Sequence, residues 1–276
     1  MLQYPNALEI DGAEPLWRYV SLEALLATVS TKSLRMTRLD AFNDPYEGSV
    51  PLADLERQAK QLRGGDIVSE IPGRPYLRNP PDVRRRAANR NEEMSLRRID
   101  RLKSAHASCW RRGHESEGMW LLYCQDRGTR GQGIAMRSTV AKLASSVEMQ
   151  ALFLSPIAYR TYHDGPPFKS ELDCFFHKRR GFAHEQEVRL LRFDAQRAQQ
   201  CVTYLAGFSN ESPTDLAKYI YIPWSLEEAL VELVISPYAS EEYELDVRAG
   251  LQRDAPALVP LLQLSELSER RYPIFR

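Results

Sequence analysis

Hydrophobic positions along this 276-residue chain follow two different periods. Residues 16–20 (LWRYV) have the short apolar pattern of a strand, and the apolar residues from Leu22 to Val29 repeat at helical spacing. Ser21 stands just before that repeat, where a hydroxyl can cap the helix. Residues 33–39 (SLRMTRL) alternate as a second strand. The chain is therefore predicted to open with a strand, a helix and a strand.

The remainder of the chain mixes the two periods irregularly. Further strands are predicted at 106–110, 131–138, 151–162, 184–191, 229–237 and 259–267. Further helices are predicted at 119–124, 139–147, 240–252, and from residue 168 up to the strand at 184–191. Several strands follow one another directly, which favours an α+β fold over a doubly wound parallel sheet. We predict a single α+β domain spanning 1–276.

Residues 64–104 are predicted to be an insertion in that domain. Their first part, 64–82, is rich in glycine and proline, which is typical of a loop. Their second part, 83–103, has the composition of a strongly basic helix. Such a helix is usually a solvated face with internal ion pairs, and the alternative is a patch that recruits a nucleic-acid or acidic-protein acceptor.

Composition narrows the class of protein. Lys+Arg and Asp+Glu both number 37, so no global field indicates nucleic acid or a cationic partner. The four cysteines form no CxxC pair, which favours a reduced compartment. The N-terminus lacks the pattern of a signal peptide, and no apolar stretch reaches the length of a membrane span. The expectation is a soluble cytoplasmic protein without a membrane partner.

Glu185 and Glu187 raise the first chemical question. In an extended strand, positions i and i+2 point to the same face, so two carboxylates would repel each other there. One interpretation is an exposed strand end whose glutamates pair with nearby arginines. The other is that both carboxylates line a cleft.

Several segments in a fixed order resemble a bacterial domain family of unknown function. They are FNDPYEG at 42–48, HASCW at 106–110, MWLLY at 119–123 and EQEVRLL at 185–191. The family is marked by an FNDP(F/Y)E motif, and the resemblance covers roughly residues 16 to 240. It implies a bacterial defence or toxin context and supplies no activity.

A more distant resemblance is to ADP-ribosyltransferases of the arginine–serine–glutamate type. It rests on LWRY with its helix and strand, then ASC at 107–109, then EQEV at 185–188. The resemblance implies a pair of small sheets around a cleft and NAD as substrate, with no metal. Arg18 would hold the phosphate or ribose, Ser108 would support the nicotinamide ribose, and Glu187 would be catalytic.

The same resemblance gives further residues a role. Glu185 would be the first member of the glutamate pair. The remaining residues predicted to bind NAD are Tyr19, Asn43, Asp44, Trp110, Trp120 and Tyr123. Cleavage of the nicotinamide–ribose bond develops a cation, which a fixed carboxylate stabilises, while an arginine fork suits the diphosphate. Aromatic rings can sandwich nicotinamide.

Two features depart from the transferase pattern. The serine segment is Ala-Ser-Cys-Trp instead of Ser-Thr-Ser, and Arg189 stands where an apolar residue is typical. Structural interpretations also stay open: Arg18 pairing with Asp44 or Glu47, and Ser108 as a small core residue. Tryptophan residues are also more often core than ligand-binding.

Two other functions remain as alternatives. A metal-dependent nuclease would use magnesium and four carboxylates, with three basic residues at the phosphate. The carboxylates are those of Asp44, Glu47, Glu185 and Glu187, and the basic residues are Lys178, Arg179 and Arg180. A non-catalytic binding or regulatory module would leave Glu185 and Glu187 exposed to solvent.

Overall fold

The computed structural model describes residues 9–51, 53–54, 98–147, 152–161, 168–205 and 210–271. Its strands are β1 Pro15–Val20, β2 Ser33–Arg38, β3 Ala105–Arg112, β4 Gln125–Asp126, β5 Thr129–Arg130, β6 Ile134–Thr139, β7 Leu152–Pro156, β8 Ala158–Arg160, β9 His177–Arg179, β10 Glu187–Phe193, β11 Tyr219–Pro223, β12 Glu232–Ile235 and β13 Leu262–Leu264. Its α-helices are α1 Leu22–Thr31, α2 Glu117–Tyr123, α3 Val140–Ser146, α4 Ala195–Leu205, α5 Leu226–Ala229 and α6 Glu241–Asp254.

The opening unit forms as predicted. Ser21 accepts a hydrogen bond from the backbone of Ala24 at 3.2 Å and begins α1. Lys32 ends it in a left-handed conformation with φ of 45°. The apolar stripe of α1 then packs against α6, where Gly250 leaves room for Leu26.

Most strands of the described residues belong to one mixed sheet with a fork. Seven strands run in the order β11-β2-β3-β1-β6-β12-β13, and β10 joins β3 to β7. Along one edge, β3 pairs first with β2 at His106 and Ala107, then with β1 at Arg111 and Arg112. Along its other edge it pairs with β10 over its length. Strands β1 and β2 therefore share one edge of β3 and diverge at 108–110.

This topology confirms a mixed α and β fold and corrects its arrangement. The expected pair of small sheets is instead one branched sheet of nine strands in the described residues, accompanied by two separate two-stranded ladders. The reason is β3, whose residues from Ala105 to Trp110 are almost all buried and can accept partners on both edges.

Two hydrophobic clusters cover the two faces of strand β10. Val188 and Leu190 belong to the larger cluster, which also contains α1 and α6 residues. Leu191 belongs to the second cluster with Phe175 and Phe176. Because side chains alternate along a strand, Glu187 and Arg189 point to the same side as Leu191.

The predicted helix from residue 168 to the following strand is wrong. The chain instead forms 3-10 turns at Glu171–Phe175 and Arg180–Glu185, separated by β9. Phe175 and Phe176 are both fully buried where the first turn leads into β9. Asp173 and Ser170 hold the first turn in a capping box.

The predicted insertion falls mostly outside the described residues. Of the basic segment 83–103, residues 98–103 are described and are helical. No described helix has the length and apolar character needed to cross a bilayer.

Candidate functional site

A cleft of about 620 Å³ lies at the fork of the sheet. Strands β1, β2 and β3 form its floor, and the segment 41–47 forms one wall. Residues 178–187 and α2 close the other side. Arg18, Ser108 and Glu187, which the transferase resemblance selects from distant parts of the chain, all line this cleft.

Arg18 spans the gap between the diverging strands. It donates from Nη1 to Ser108 Oγ at 2.6 Å and from Nη2 to the Arg35 carbonyl at 3.1 Å. Both acceptors are uncharged, and no carboxylate among the described residues pairs with this guanidinium. Burial lowers the pKa of Arg18 to about 10, so the group stays cationic at neutral pH.

Ser108 is a buried support for Arg18. Its hydroxyl also accepts a hydrogen bond from Trp110 Nε1 at 3.0 Å. A hydroxyl has two acceptor lone pairs, so both are used by these two donors. Ser108 thus orients Arg18 and Trp110 at the cleft floor.

The opposite end of the cleft contains a continuous series of buried charges, here called the ion-pair chain. Its members, in order of contact, are Glu47, Arg189, Glu187, Lys178 and Glu185. Each is less than 10% exposed. Positive and negative groups alternate along it, as buried charges require.

The contacts of Glu187 occupy the centre of this ion-pair chain. Arg189 Nε donates to its Oε1 at 2.8 Å, and Lys178 Nζ lies 2.6 Å from its Oε2. Lys178 Nζ also donates to Glu185 Oε2 at 2.8 Å, and the Tyr123 hydroxyl donates to the other oxygen of Glu185. The two glutamates therefore share one lysine.

The electrostatic balance keeps Glu187 ionised. Burial alone would raise its pKa, but the charges of Arg189 and Lys178 outweigh burial and hold the pKa at about 2. For Lys178, burial acts to lower the pKa, yet the neighbouring glutamates raise it above its usual value. The site thus presents a fixed carboxylate at any physiological pH.

Glu185 reaches the site differently from the prediction. The two glutamates were expected on one face of an extended strand, but Glu185 ends a 3-10 turn and Gln186 has φ of 44°. Strand β10 begins only at Glu187. The tight turn brings both carboxylates to Lys178, whose positive charge relieves the repulsion between them. Both are buried, contrary to the solvent-exposed strand end.

The segment 42–48 supplies three groups at the rim. Asn43 lines the cleft. Asp44 accepts a hydrogen bond from the Tyr46 backbone at 3.0 Å, which stabilises the turn, and pairs with Arg179 at 3.0 Å. Glu47 pairs with Arg189. The interpretation in which Arg18 pairs with Asp44 or Glu47 is therefore wrong.

The aromatic candidates separate into two groups. Tyr19, Trp110 and Tyr123 line the cleft. Trp120 is fully buried, packs edge-on against Tyr19 at 4.8 Å and donates to Glu115 at 2.7 Å. Trp120 therefore supports the wall from behind instead of facing the cavity.

Sequence reasoning missed several residues of this site. They are Arg35, Phe42, Phe182 and Arg189. A signal existed for Arg189, because it lies two residues after Glu187 on a strand and so shares its face. Lys178 was named only as a phosphate-binding residue of the nuclease alternative, and its contacts with Glu185 and Glu187 were not predicted.

The carboxylates of the nuclease alternative do not assemble as ligands. Glu47, Glu185 and Glu187 each face a cation of the ion-pair chain. In the part of the chain that the structure describes, no group of three or more His, Cys, Asp or Glu side chains could hold a metal ion.

Comparisons with protein-family models, with curated proteins and with solved structures found no match for this chain.

Proposed function

We propose that this protein is an ADP-ribosyltransferase-like enzyme that cleaves NAD and transfers the ADP-ribose to an acceptor or to water. The observation that supports the proposal is the convergence of Arg18, Ser108 and Glu187 on one cleft at the sheet fork. In the transferase resemblance, two small sheets surround such a cleft. Here one branched sheet forms the floor of the cleft, and the segments 41–47 and 178–187 form its walls.

The reaction needs an anion site and a cation site at opposite ends of one ligand. Arg18 has no carboxylate partner among the described residues and presents a planar fork, which suits a diphosphate. Trp110 and Tyr123 offer aromatic rings that line the same cleft. A cleft of about 620 Å³ falls within the usual range for ligand sites.

Glu187 would act on the charge that develops at the ribose. When the bond between the ribose carbon and the nicotinamide nitrogen breaks, its electron pair leaves with nicotinamide. The sugar then carries positive charge, which an ionised carboxylate in a water-poor site stabilises. Water or the acceptor attacks the ribose carbon and loses a proton. Lys178 and Arg189 fix the position of the carboxylate but also partly neutralise its charge.

The basic segment 83–103 would recruit the acceptor of the ADP-ribose. Arg98, in its described part, donates to the Pro45 carbonyl at 2.7 Å and to Ser49 Oγ at 3.0 Å. This contact joins the segment to the rim of the cleft. An acidic protein or nucleic acid held there would lie beside the site.

The four cysteines are free thiols, which supports a cytoplasmic location.

Nicotinamide release from NAD by the purified protein tests the proposal. The wild type is compared with Glu187→Gln, with and without cell lysate as acceptor. Glu187→Gln should lower the rate by at least about 10²-fold because it removes the stabilising charge. Glu115→Gln, outside the cleft, is the matched control. A wild type that releases no nicotinamide, even with lysate, would favour the non-catalytic binding module.

A further inference from the structure

The fork of Arg189 is held by a residue of the FNDPYEG segment. Arg189 donates from Nη1 to Glu47 Oε1 at 2.7 Å, and its Nη2 lies 3.3 Å from Glu47 Oε2. Nη1 also contacts the Phe175 carbonyl at 2.5 Å. The only part of the guanidinium that donates to Glu187 is Nε. Glu47 therefore determines which edge of Arg189 faces Glu187.

The backbone of Glu187 is fixed independently of these charges. Its N–H donates to the Tyr159 hydroxyl at 2.7 Å, and its carbonyl accepts from Ile157 at 2.8 Å. With the backbone fixed, the direction of the carboxylate depends on Arg189 and Lys178, together with a hydrogen bond from the Cys109 thiol. A change in how Arg189 is held would thus turn the carboxylate without moving the strand.

Burying the charged groups of the ion-pair chain costs free energy, and the stability of the fold does not explain their presence. A buried ion pair is often no more stable than apolar residues of the same size. Glu47 and Arg189 nevertheless lie beside the apolar cluster of Phe175 and Leu191. Arg189 also contacts Glu187, whose carboxylate lines the cleft.

We propose that Glu47 is a positioning residue for Glu187 and that it acts through Arg189. Glu47 holds one N–H of each Nη group and so fixes the plane of the guanidinium, in which Arg189 donates to Glu187 from Nε and leaves its carboxylate directed into the cleft. Without Glu47, the guanidinium of Arg189 is free to rotate and to turn the Glu187 carboxylate away. The effect on turnover rests on the proposed function, whereas the effect on geometry does not.

The test uses Glu47→Gln, which removes the charge at nearly constant shape. Crystal structures of the wild type and the variant, both without NAD, should show Arg189 turned onto Glu187 and the carboxylate reoriented. A variant in which Arg189 Nε still donates to an unmoved Glu187 would overturn the proposal. This measurement decides the matter even when the wild type shows no NAD cleavage.

Kinetics supply the second readout. Glu47→Gln should lower kcat for nicotinamide release by about 10²-fold, as expected for a misplaced group, and change KM little. Glu115→Gln, another carboxylate that joins distant segments, should change neither constant. Equal losses in the two variants would show a merely structural role.

A conservative variant covers the case in which Glu47→Gln does not fold. Glu47→Asp keeps the charge but shortens the side chain, so both Nη contacts are not made at once. We expect it to fold and to lose about 10-fold in kcat, less than a fully misplaced group. An unchanged kcat together with an unmoved Glu187 in its crystal structure would reject the positioning role.

Discussion

The two ends of the cleft handle charge in opposite ways. At the fork, the Arg18 guanidinium donates to two neutral acceptors of the described chain, a hydroxyl and a carbonyl. At the other end, Glu187 contacts two cations, and each of those contacts a second carboxylate. The first end holds an uncompensated charge that a ligand can neutralise. The charges at the second end already neutralise one another, so this end contributes by holding Glu187 in a fixed position.

This contrast leads to different expectations for the same kind of mutation. Removing a charge from the ion-pair chain, the balanced end of the cleft, should mainly lower the free energy of unfolding. Removing the charge of Arg18 should harm anion binding and leave the fold nearly intact. Four variants and one pH series test the contrast, starting with the largest expected effect.

Arg189→Met should be the most destabilising change. The side chain is fully buried between Glu47 and Glu187, so its loss leaves two buried carboxylates without their shared cation. Breaking a buried ion pair on one side costs about 3–5 kcal/mol. Urea denaturation at pH 7 measures the change in the free energy of unfolding.

Arg248→Met is the control for that measurement. Arg248 pairs with Glu244 one helical turn away and is partly exposed. Such pairs contribute about 0.3–0.5 kcal/mol. Similar losses in the two arginine variants would mean that the ion-pair chain is no more important than a surface contact.

Acid should weaken the balanced end next. The pKa of Glu187 falls from 4.5 to about 2 on folding, so its contribution is complete above the unfolded pKa and is lost as the pH falls through the folded pKa. That shift corresponds to about 3 kcal/mol. Urea midpoints between pH 5 and pH 2 should fall more steeply for the wild type than for Glu187→Gln. Parallel curves would contradict the low pKa.

Arg18→Gln should change binding more than stability. Hydrogen bonds to a charged group contribute about 1.5–3 kcal/mol, so affinity for pyrophosphate should fall by about 10- to 100-fold. Calorimetry at low salt measures it. Glu187→Gln, at the far end of the cleft, should not weaken pyrophosphate binding. If both variants weaken binding equally, the two ends do not differ in the way described.

The sequence was informative about the first end and less so about the second. Arg18 and Ser108 lie on strands whose apolar patterns are evident, so their positions followed from the order of the elements. Lys178 lies in β9 and Glu185 in the 3-10 turn after it, where a helix was expected. Local sequence does not specify such turns, because their partners come from distant segments.

The branching of the sheet was likewise beyond the sequence. Strand periodicity predicts that β1, β2 and β3 exist, but not that two of them share one edge of the third. Strand β11, which extends the sheet beyond β2, was not predicted, although YIYI at 219–222 is rich in strand-forming residues. The cleft exists because of this branching, so its shape required the structure.

Tyr123→Phe should have the smallest effect and should be confined to the balanced end. The Tyr123 hydroxyl donates to Glu185, while the ring lies at the edge of the cleft and is about half exposed. Losing one such hydrogen bond costs about 1 kcal/mol, because Lys178 still neutralises Glu185. Urea denaturation should show this loss, and pyrophosphate affinity at Arg18 should stay the same. A loss as large as that of Arg189→Met would mean that Glu185 depends on the hydroxyl and not on the lysine, and the ion-pair chain would then end at Lys178.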